Sequence, residues 1–198
     1  MTSPTAAGRR RAADRCLAPV GAGYRRSYYL ADVDMEYAMS DADEDREKAA
    51  QYPDGDLLGI LYEHHALIHE LAETVESSSG AERQTAFDRL TQMLKAHEMA
   101  EEAVVRPVTA ETAGRAVADA RNLEENEADE VIVTLSELDP DSAEFESEFA
   151  KLKKAVTAHA ESEENDEFPT LDSGRSPQQR KELGQQFLET FKSASDVD

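Results

Sequence analysis

The chain has 198 residues, with 43 acidic side chains against 21 Lys and Arg, and its formal net charge is −22. A single cysteine excludes a disulfide framework and any cysteine-ligated zinc or iron–sulfur centre. The acidic body is not expected to bind nucleic acid or an anionic membrane surface, because both carry negative charge. No apolar run approaches the roughly 18 residues of a membrane span, so we expect a cytoplasmic protein rich in helix-forming residues.

The N-terminal residues 1–50 differ from the rest and are interpreted as a largely disordered extension. Residues 1–28 hold six arginines and one acid, Asp14, so this tail carries a net charge of +5. The alternative interpretation is a basic arm that contacts nucleic acid or an acidic partner. Cys16 lies in the tail and is assigned no chemistry. Residues 51–198 are predicted to form one helical bundle domain.

Apolar residues at helical spacing predict four long helices in this domain. In chain order they run from residue 57 to the polar segment 77–80, from about 81 to 105, from about 111 to 138, and from 141 to about 169. Asp56 and Asp141 are the predicted N-caps of the first and fourth helices. Pro107, Pro140 and Pro169 are expected to end the three later helices, since proline lacks the amide hydrogen that a helix interior needs.

A shorter fifth helix is predicted from the Ser176-Pro177 pair to about Lys192, with Gln179 completing a capping box. Four long helices that are joined by short loops favour antiparallel neighbours. The predicted fold is therefore all-α: an up-down-up-down four-helix bundle with a short C-terminal fifth helix and a disordered basic N-terminal tail.

Two segments of the chain share one pattern, in which a histidine is followed by glutamates four and five residues later and by a proline ten residues later. The first starts at His97 and the second at His159, 62 residues further on. The apolar spacing that follows His65 also recurs after Glu125, 60 residues later. Duplication of a helical hairpin explains both offsets, and it pairs Glu125 with His65.

A histidine and a glutamate four residues apart lie about 40° apart on a helix, so they share one face. In both segments that face is apolar, and buried carboxylates persist only when they are paired or bind a metal. The duplication therefore predicts one metal centre inside the bundle. Its six predicted ligands are His65, His97, Glu101, Glu125, His159 and Glu163.

Three imidazoles and three carboxylates suit non-haem iron, with manganese or zinc as alternatives. Six side chains serve two ions only if carboxylates are shared, so we predict two iron ions bridged by Glu101, Glu163 and a solvent-derived oxo or hydroxo group. An open position would remain for O2 or peroxide. The alternative is a metal-free core in which the same groups hydrogen-bond to one another.

Other polar residues near the predicted centre are given different roles. Asn126 is the alternative to Glu125 if the third helix is rotated, and Tyr62 is expected in the core. The acidic runs 41–47 and 161–167 are expected to be mostly solvated, apart from the predicted ligand in the second run. The histidines and glutamates expected to be half-exposed or to form an outer layer are His64, His69, Glu102 and Glu164.

These residues resemble the hemerythrin-like, or HHE cation-binding, domain family over about residues 57–171. The resemblance rests on His65, on the two HxxxE pairs that start at His97 and His159, and on the EExxxxP endings. It implies a four-helix bundle with a non-haem di-iron centre that meets O2, peroxide or nitric oxide. The chain departs from the family on the third helix, where oxygen carriers have histidines and this chain has Glu125.

Fewer imidazoles and more carboxylates donate more electron density to iron and favour the ferric state. We therefore expect redox chemistry rather than reversible oxygen carriage: peroxide breakdown or O2-dependent oxidation, with the question of whether the protein is an enzyme left open. The alternatives are a non-catalytic O2 or iron sensor or binding module, and a metal-free interaction bundle. The expected partners are O2, peroxide or another small molecule, and the question of a protein partner is left open.

Overall fold

The computed structural model describes residues 39–196, and over this range the chain is helical without strands. The predicted basic tail and Cys16 lie outside the described residues. The helices α1–α8 and three π-helical turns, π1–π3, follow one another in chain order: α1 (Asp41–Ala49), α2 (Leu57–Ser77), α3 (Gly80–Ala100), π1 (Glu101–Val105), α4 (Arg106–Thr109), π2 (Ala110–Gly114), α5 (Arg115–Ser136), α6 (Ala143–Ser162), π3 (Glu163–Glu167), α7 (Phe168–Gly174) and α8 (Pro177–Ser195). None of these helices combines the length and apolarity needed to cross a membrane.

Helices α2, α3, α5 and α6 form the antiparallel four-helix bundle that the sequence predicts. Two apolar clusters fill its interior, one around Phe145 and the other around Phe168. On α3, His97 lies between Leu94 of the first cluster and Ala100 of the second. The candidate site therefore occupies a polar layer between two apolar layers.

The helix starts follow the predicted capping residues with one exception. Asp56 and Ser176 are confirmed as the N-caps of α2 and α8. The predicted N-cap Asp141 is wrong by one residue, because the side chain of Ser142 accepts the capping hydrogen bond of α6. The carboxylate of Asp141 instead accepts a hydrogen bond of 2.7 Å from the Gly80 amide, which joins the start of α3 to the loop before α6.

Pro107 and Pro169 do not end their helices, contrary to the prediction. Each follows a π-helical turn, in which the amide before the proline donates to the carbonyl of the glutamate five residues earlier, Glu101 or Glu163. In an α-helix the proline ring would clash with the carbonyl four residues earlier, and the wider turn relieves that clash. The EExxxxP pattern therefore marks a π turn in this chain.

The third predicted helix, 111–138, is shorter in the structure, where α5 covers Arg115–Ser136. Gly114, directly before it, has a φ of +105°. Side chains other than glycine rarely adopt that conformation, so the junction between π2 and α5 requires a glycine.

Helices α1 and α8 pack against the first half of the bundle, α2 and α3. Phe187 of α8 is fully buried there. Gly184 lies so close to the start of α2 that an added Cβ would come within 2.4 Å of the Gly55 carbonyl oxygen. Helix α1 lies within residues 1–50, which the sequence analysis assigns to the extension, and Asp45 of its acidic run is 3% exposed.

Candidate metal centre

The six predicted ligands lie on the bundle helices or at the start of their π turns, and they converge on the polar layer. Glu101 and Glu163, the first residues of π1 and π3, are the most deeply buried, at 0% exposure. The other four are buried or nearly so: His65, His97, Glu125 and His159.

One group of four, termed position one, consists of His65, His97, Glu101 and Glu163. Its donor atoms lie within 4.8 Å of one another. His65 Nε2 is 3.3 Å from Glu163 Oε2, and His97 Nε2 is 3.5 Å from Glu101 Oε1. Ligand atoms about 2.1 Å from a metal ion lie roughly 3 Å from their neighbours. The donors of position one are thus close to the spacing that one ion needs.

A second group of four, termed position two, consists of Glu101, Glu125, His159 and Glu163. His159 Nε2 is 3.3 Å from Glu163 Oε1 and 3.7 Å from Glu125 Oε1. Both positions include Glu101 and Glu163, so each of these carboxylates faces two candidate ion positions, as the predicted bridges require. Ligation itself stays a prediction.

Several donor atoms at the two positions are buried without a hydrogen-bond partner among residues 39–196. They are His65 Nε2, Glu101 Oε1, His159 Nε2 and Glu163 Oε2. A buried polar atom that lacks a partner costs about 1–3 kcal/mol, so four of them in one cluster need a common explanation. A bound cation satisfies all four at once, and the residues therefore fit a metal.

Carboxylates hold the outer ring nitrogens of two of the three histidines. His65 Nδ1 donates to Glu164 at 2.9 Å, and His159 Nδ1 donates to Glu124 at 3.0 Å. An ionised carboxylate can only accept, so both rings carry hydrogen on Nδ1, and Nε2 is left to face the two positions. Glu164 thus lies in the outer layer, where the sequence analysis placed it.

The third histidine has a different outer partner. His97 Nδ1 lies 3.4 Å from Nδ1 of His64, whose ring packs against Phe187 and Phe191 of α8. Burial, together with the nearby imidazole of His65, lowers the pKa of His64 to about 4, so His64 is neutral near pH 7. His97 is therefore backed by a neutral ring instead of a carboxylate.

The structure also decides the roles that the sequence analysis left open for the other polar residues near the centre. Asn126 is exposed, so Glu125 is the residue of α5 that faces the centre. Glu102 is exposed, and Tyr62 lies in the core as expected. His69, expected to be half-exposed, is buried instead, because α1 covers this part of α2.

Arg106 is the residue of the site that the sequence analysis missed. It is 5% exposed, and its Nη2 donates to Glu163 Oε1 at 2.7 Å, to Glu101 Oε2 at 3.1 Å and to Glu125 Oε1. In the duplication it corresponds to Phe168, so the repeat carries no signal for it. The local signal for Arg106 is its position directly after π1. A π turn has more residues per turn than an α-helix, so it changes which of the following residues face the interior.

Glu167 belongs to the acidic run that was expected to be mostly solvated, yet it is 1% exposed. Its Oε2 accepts hydrogen bonds from Thr109 Oγ1 at 2.5 Å and from Arg106 Nη1 at 3.4 Å, and Arg121 Nε lies 3.5 Å from Oε1. The expectation fails because Glu167 lies one helical turn after Glu163 and shares its inward face, a spacing that the sequence analysis did not apply to this residue.

Buried positive groups hold the carboxylate cluster together in the metal-free protein. Burial opposes the charged form of His159, but Glu163, Glu101 and Glu124 raise its pKa to about 10. Burial and the neighbouring Glu163 carboxylate raise the pKa of Glu101 to about 8. Although burial acts against ionisation of Glu163, the charges of His159 and Arg106 hold its pKa well below the usual value. Metal ligation needs neutral imidazoles, so metal binding here would release protons.

A cavity of about 20 Å³ borders both positions on the side of the Phe145 cluster. It can hold one water-sized molecule. Glu98 also lines it, and burial and the nearby acids Asp129 and Glu125 raise the pKa of Glu98 to about 9, so its carboxyl carries a proton near pH 7. The apolar part of the wall consists of Ile68, Leu94, Ala128, Ala155, Val156 and Ala160.

Comparison with known proteins gives two matches. The family model described as "Hemerythrin HHE cation binding domain" matches residues 56–171. A crystal structure of a hemerythrin HHE cation binding domain-containing protein from Mycobacterium kansasii shares the fold, with a TM-score of 0.62 and 22% sequence identity. The similarity covers 69% of this chain and 85% of that one. The comparison with curated proteins found no match.

The family match spans more than half of the chain, and its bounds agree with the resemblance over residues 57–171. This chain belongs to the hemerythrin HHE cation-binding domain family. It is thus a member of a cation-binding family, and its described residues bring together His and Glu side chains that could hold a metal.

Proposed function

We propose that this bundle holds two non-haem iron ions at positions one and two and reacts there with O2 or peroxide, as a redox enzyme or a peroxide scavenger. The observation that carries the proposal is the pair of four-donor groups that share Glu101 and Glu163. Imidazole and carboxylate donors suit iron, while manganese and zinc are alternatives. Iron at these positions would supply the redox chemistry towards O2 or peroxide.

The surroundings of the two positions support a small, uncharged reactant. The bordering cavity has room for one water-sized molecule, and aliphatic side chains form much of its wall. The protonated carboxyl of Glu98 faces the same space, where it can donate a hydrogen bond or a proton to an occupant. O2 and hydrogen peroxide both fit this combination of size and polarity.

The carboxylate-rich donor set favours redox turnover over reversible oxygen carriage. Position two has one imidazole and three carboxylates, while position one has two of each. Carboxylates stabilise the higher oxidation state of iron more than imidazoles do. Electron transfer to O2 or peroxide is therefore more favourable here than in a histidine-rich centre.

Anaerobic loading of the full chain with Fe(II), followed by iron quantification and an optical spectrum, tests the metal part of the proposal. We expect retained iron, up to two ions per chain, that survives gel filtration. The Glu163→Gln protein is the matched control and is expected to retain little. Iron content no higher in the wild-type protein than in this control would contradict the proposal.

Addition of hydrogen peroxide or O2 to the ferrous protein tests the reactivity. Oxygen evolution or O2 uptake over many turnovers is the expected result. A single spectral change without turnover would instead support the second candidate, a sensor. That candidate is favoured by the hydrogen-bonded path from His65 through Glu164 to Lys48 of α1, at 2.9 and 2.6 Å, which links position one to a helix outside the bundle.

A further inference from the structure

The two positions differ in what their carboxylate oxygens already contact. The oxygens that face position one, Glu101 Oε1 and Glu163 Oε2, have no hydrogen-bond partner among the described residues. The oxygens that face position two are Glu101 Oε2, Glu163 Oε1 and Glu125 Oε1, and each accepts a hydrogen bond from the same atom, Arg106 Nη2. Three of the four metal-donor atoms of position two are therefore already hydrogen-bonded to one guanidinium nitrogen.

This guanidinium is a permanent cation. Arginine stays protonated in proteins and offers only donors, and the surrounding carboxylates raise the pKa of Arg106 further in spite of its burial. A metal ion bound to the same three oxygens would lie close to Nη2, which contacts all three, and repulsion between the two cations favours the departure of Nη2. Arg106 and an ion at position two therefore compete.

The net charge of the cluster also favours competition between Arg106 and a second metal ion. Three carboxylates contribute −3 when they are ionised, as metal ligation requires: Glu101 and Glu163 of both positions and Glu125 of position two. Arg106 contributes +1, which leaves −2. One divalent ion neutralises this cluster. A second ion would add an uncompensated charge of +2 in a site shielded from water, where such a charge is strongly unfavourable.

Arg106 also has a partner that could hold it away from position two. Its Nη1 already donates to Glu167 Oε2 at 3.4 Å, and Glu167 Oε1 has no hydrogen-bond partner among residues 39–196. Glu167 is buried behind the centre, beside Thr109. The guanidinium could therefore shift onto Glu167 without losing all charge pairing.

We propose that Arg106 is an internal cation that competes with the second metal ion, so that position one fills first and position two fills only when Arg106 leaves Glu101, Glu125 and Glu163. This inference rests on the proposed function, since it needs the metal centre. It assigns Arg106 the role of a positioning residue that sets the stoichiometry and order of metal loading.

Titration of the metal-free full chain with Co(II), with bound metal measured by equilibrium dialysis, tests the proposal. The wild-type protein is expected to bind one equivalent at least about 10-fold more tightly than the second. Arg106→Gln should tighten the second equivalent by about 10-fold and leave the first within about 3-fold. Two equal equivalents in the wild-type protein, or an unchanged gap in Arg106→Gln, would overturn it.

Two further variants act as controls. Arg106→Lys keeps the charge next to the carboxylates and is expected to keep the gap between the two equivalents. Arg121→Gln removes another buried guanidinium, one that contacts Glu124 and Glu167 but none of the three oxygens. It should also keep the gap, and closure of the gap in Arg121→Gln would show that loss of any buried arginine suffices, against the proposal.

Thermal unfolding gives a second readout. Without metal, Arg106→Gln should melt lower than the wild-type protein, by on the order of 10 °C, because it leaves buried carboxylates without their cation. Two equivalents of Co(II) should raise the melting temperature of the variant more than that of the wild-type protein, and an equal rise would contradict the competition. If the variant folds only with metal, the wild-type titration still tests the proposal, because two equal equivalents there would overturn it.

Failure of the proposed function would look different. If the wild-type protein binds no cation, the metal centre is wrong and the competition falls with it. If cations bind in two unequal steps that Arg106→Gln brings together, yet the iron form reacts with neither O2 nor peroxide, the role of Arg106 stands and only the proposed reactivity fails.

Discussion

The two halves of the bundle, α2–α3 and α5–α6, carry the same backbone plan but different chemistry around it. In each half a histidine and a glutamate face the interior, a π turn follows, and a proline comes next. Helices α1 and α8 pack mainly on the first half, and Lys48 of α1 also donates to Glu164 of π3 in the second half. A duplicated spacing has thus produced two candidate metal positions in unlike surroundings.

The residue that follows each π turn shows the difference most clearly. In the first half it is Arg106, which crosses to Glu125 and Glu163 of the second half. In the second half it is Phe168, which crosses to the first half and stacks on His65, with ring centroids 5.7 Å apart. Equivalent places in the duplication therefore give one position a competing cation and the other an apolar wall.

The strongest test of the shared plan removes a carboxylate that faces both positions. Glu163→Gln and its counterpart Glu101→Gln should each weaken binding of the first Co(II) equivalent by at least about 100-fold, because each loses a charged donor. Equilibrium dialysis of the metal-free chains measures this. Glu102→Gln, on the exposed side of π1, is the control and should bind like the wild-type protein. Near-normal binding by either variant would mean that the two halves are not equivalent at this place.

The packing of α8 on the first half can be disrupted by a substitution at Gly184. An alanine there would place its Cβ 2.4 Å from the Gly55 carbonyl oxygen, which is backbone and cannot turn away. We expect Gly184→Ala to lower the free energy of unfolding by about 3 kcal/mol, at the upper end for overpacking.

Gly174→Ala is the matched control, since its Cβ would meet only the side chain of Thr112 at 3.0 Å. Urea unfolding of both metal-free variants measures the difference. Equal, small losses would mean that α8 can shift on α2 at little cost.

The outer partners of the histidines provide a smaller effect. Glu124→Gln removes the charge behind His159 and should weaken metal binding by about 10-fold, since a carboxylate partner orients the ring and raises its basicity. His64→Ala removes only a neutral partner of His97 and should cost less than about 3-fold. Co(II) titration of both variants compares them, and a larger loss in His64→Ala would reverse this ranking.

The smallest effect is expected at the surface of the first half, where Arg46 of α1 pairs with Glu70 of α2 at 2.6 Å. The hydrogen bond from Arg46 lowers the pKa of Glu70. A carboxyl with a lowered pKa stabilises the fold above its unfolded pKa of 4.5, and this contribution is lost as the pH falls through the folded pKa.

A double-mutant cycle with Arg46→Gln and Glu70→Gln should therefore give a coupling of about 0.2–1 kcal/mol near pH 7 that declines as the pH falls through the folded pKa of Glu70. Urea unfolding across this pH range measures it. A coupling that persists in acid would show that the pair does not act through the ionised carboxylate.

The fold and the convergence of the six candidate ligands could be predicted because both depend on spacing along single helices. The duplicated His and Glu pairs, together with the apolar residues around them, define which face turns inward. The same reasoning failed at Pro107 and Pro169, since a proline is compatible with a helix once a π turn precedes it. The expectation of solvated charge was wrong at Glu167, which lies one helical turn after Glu163 and shares its inward face.

Helical periodicity by itself thus determined the bundle, its polar layer and the donor atoms that meet there, because the direction of a side chain repeats about every 3.6 residues along one helix. Only the tertiary structure decided the contacts of Arg106 and the packing of α8 on α2 and α3. It also decided which residues contact the outer ring nitrogens of the three histidines, namely Glu124, Glu164 and His64. These depend on how far long side chains reach between helices and how closely the helices approach, which is a property of the packed bundle and of no single segment.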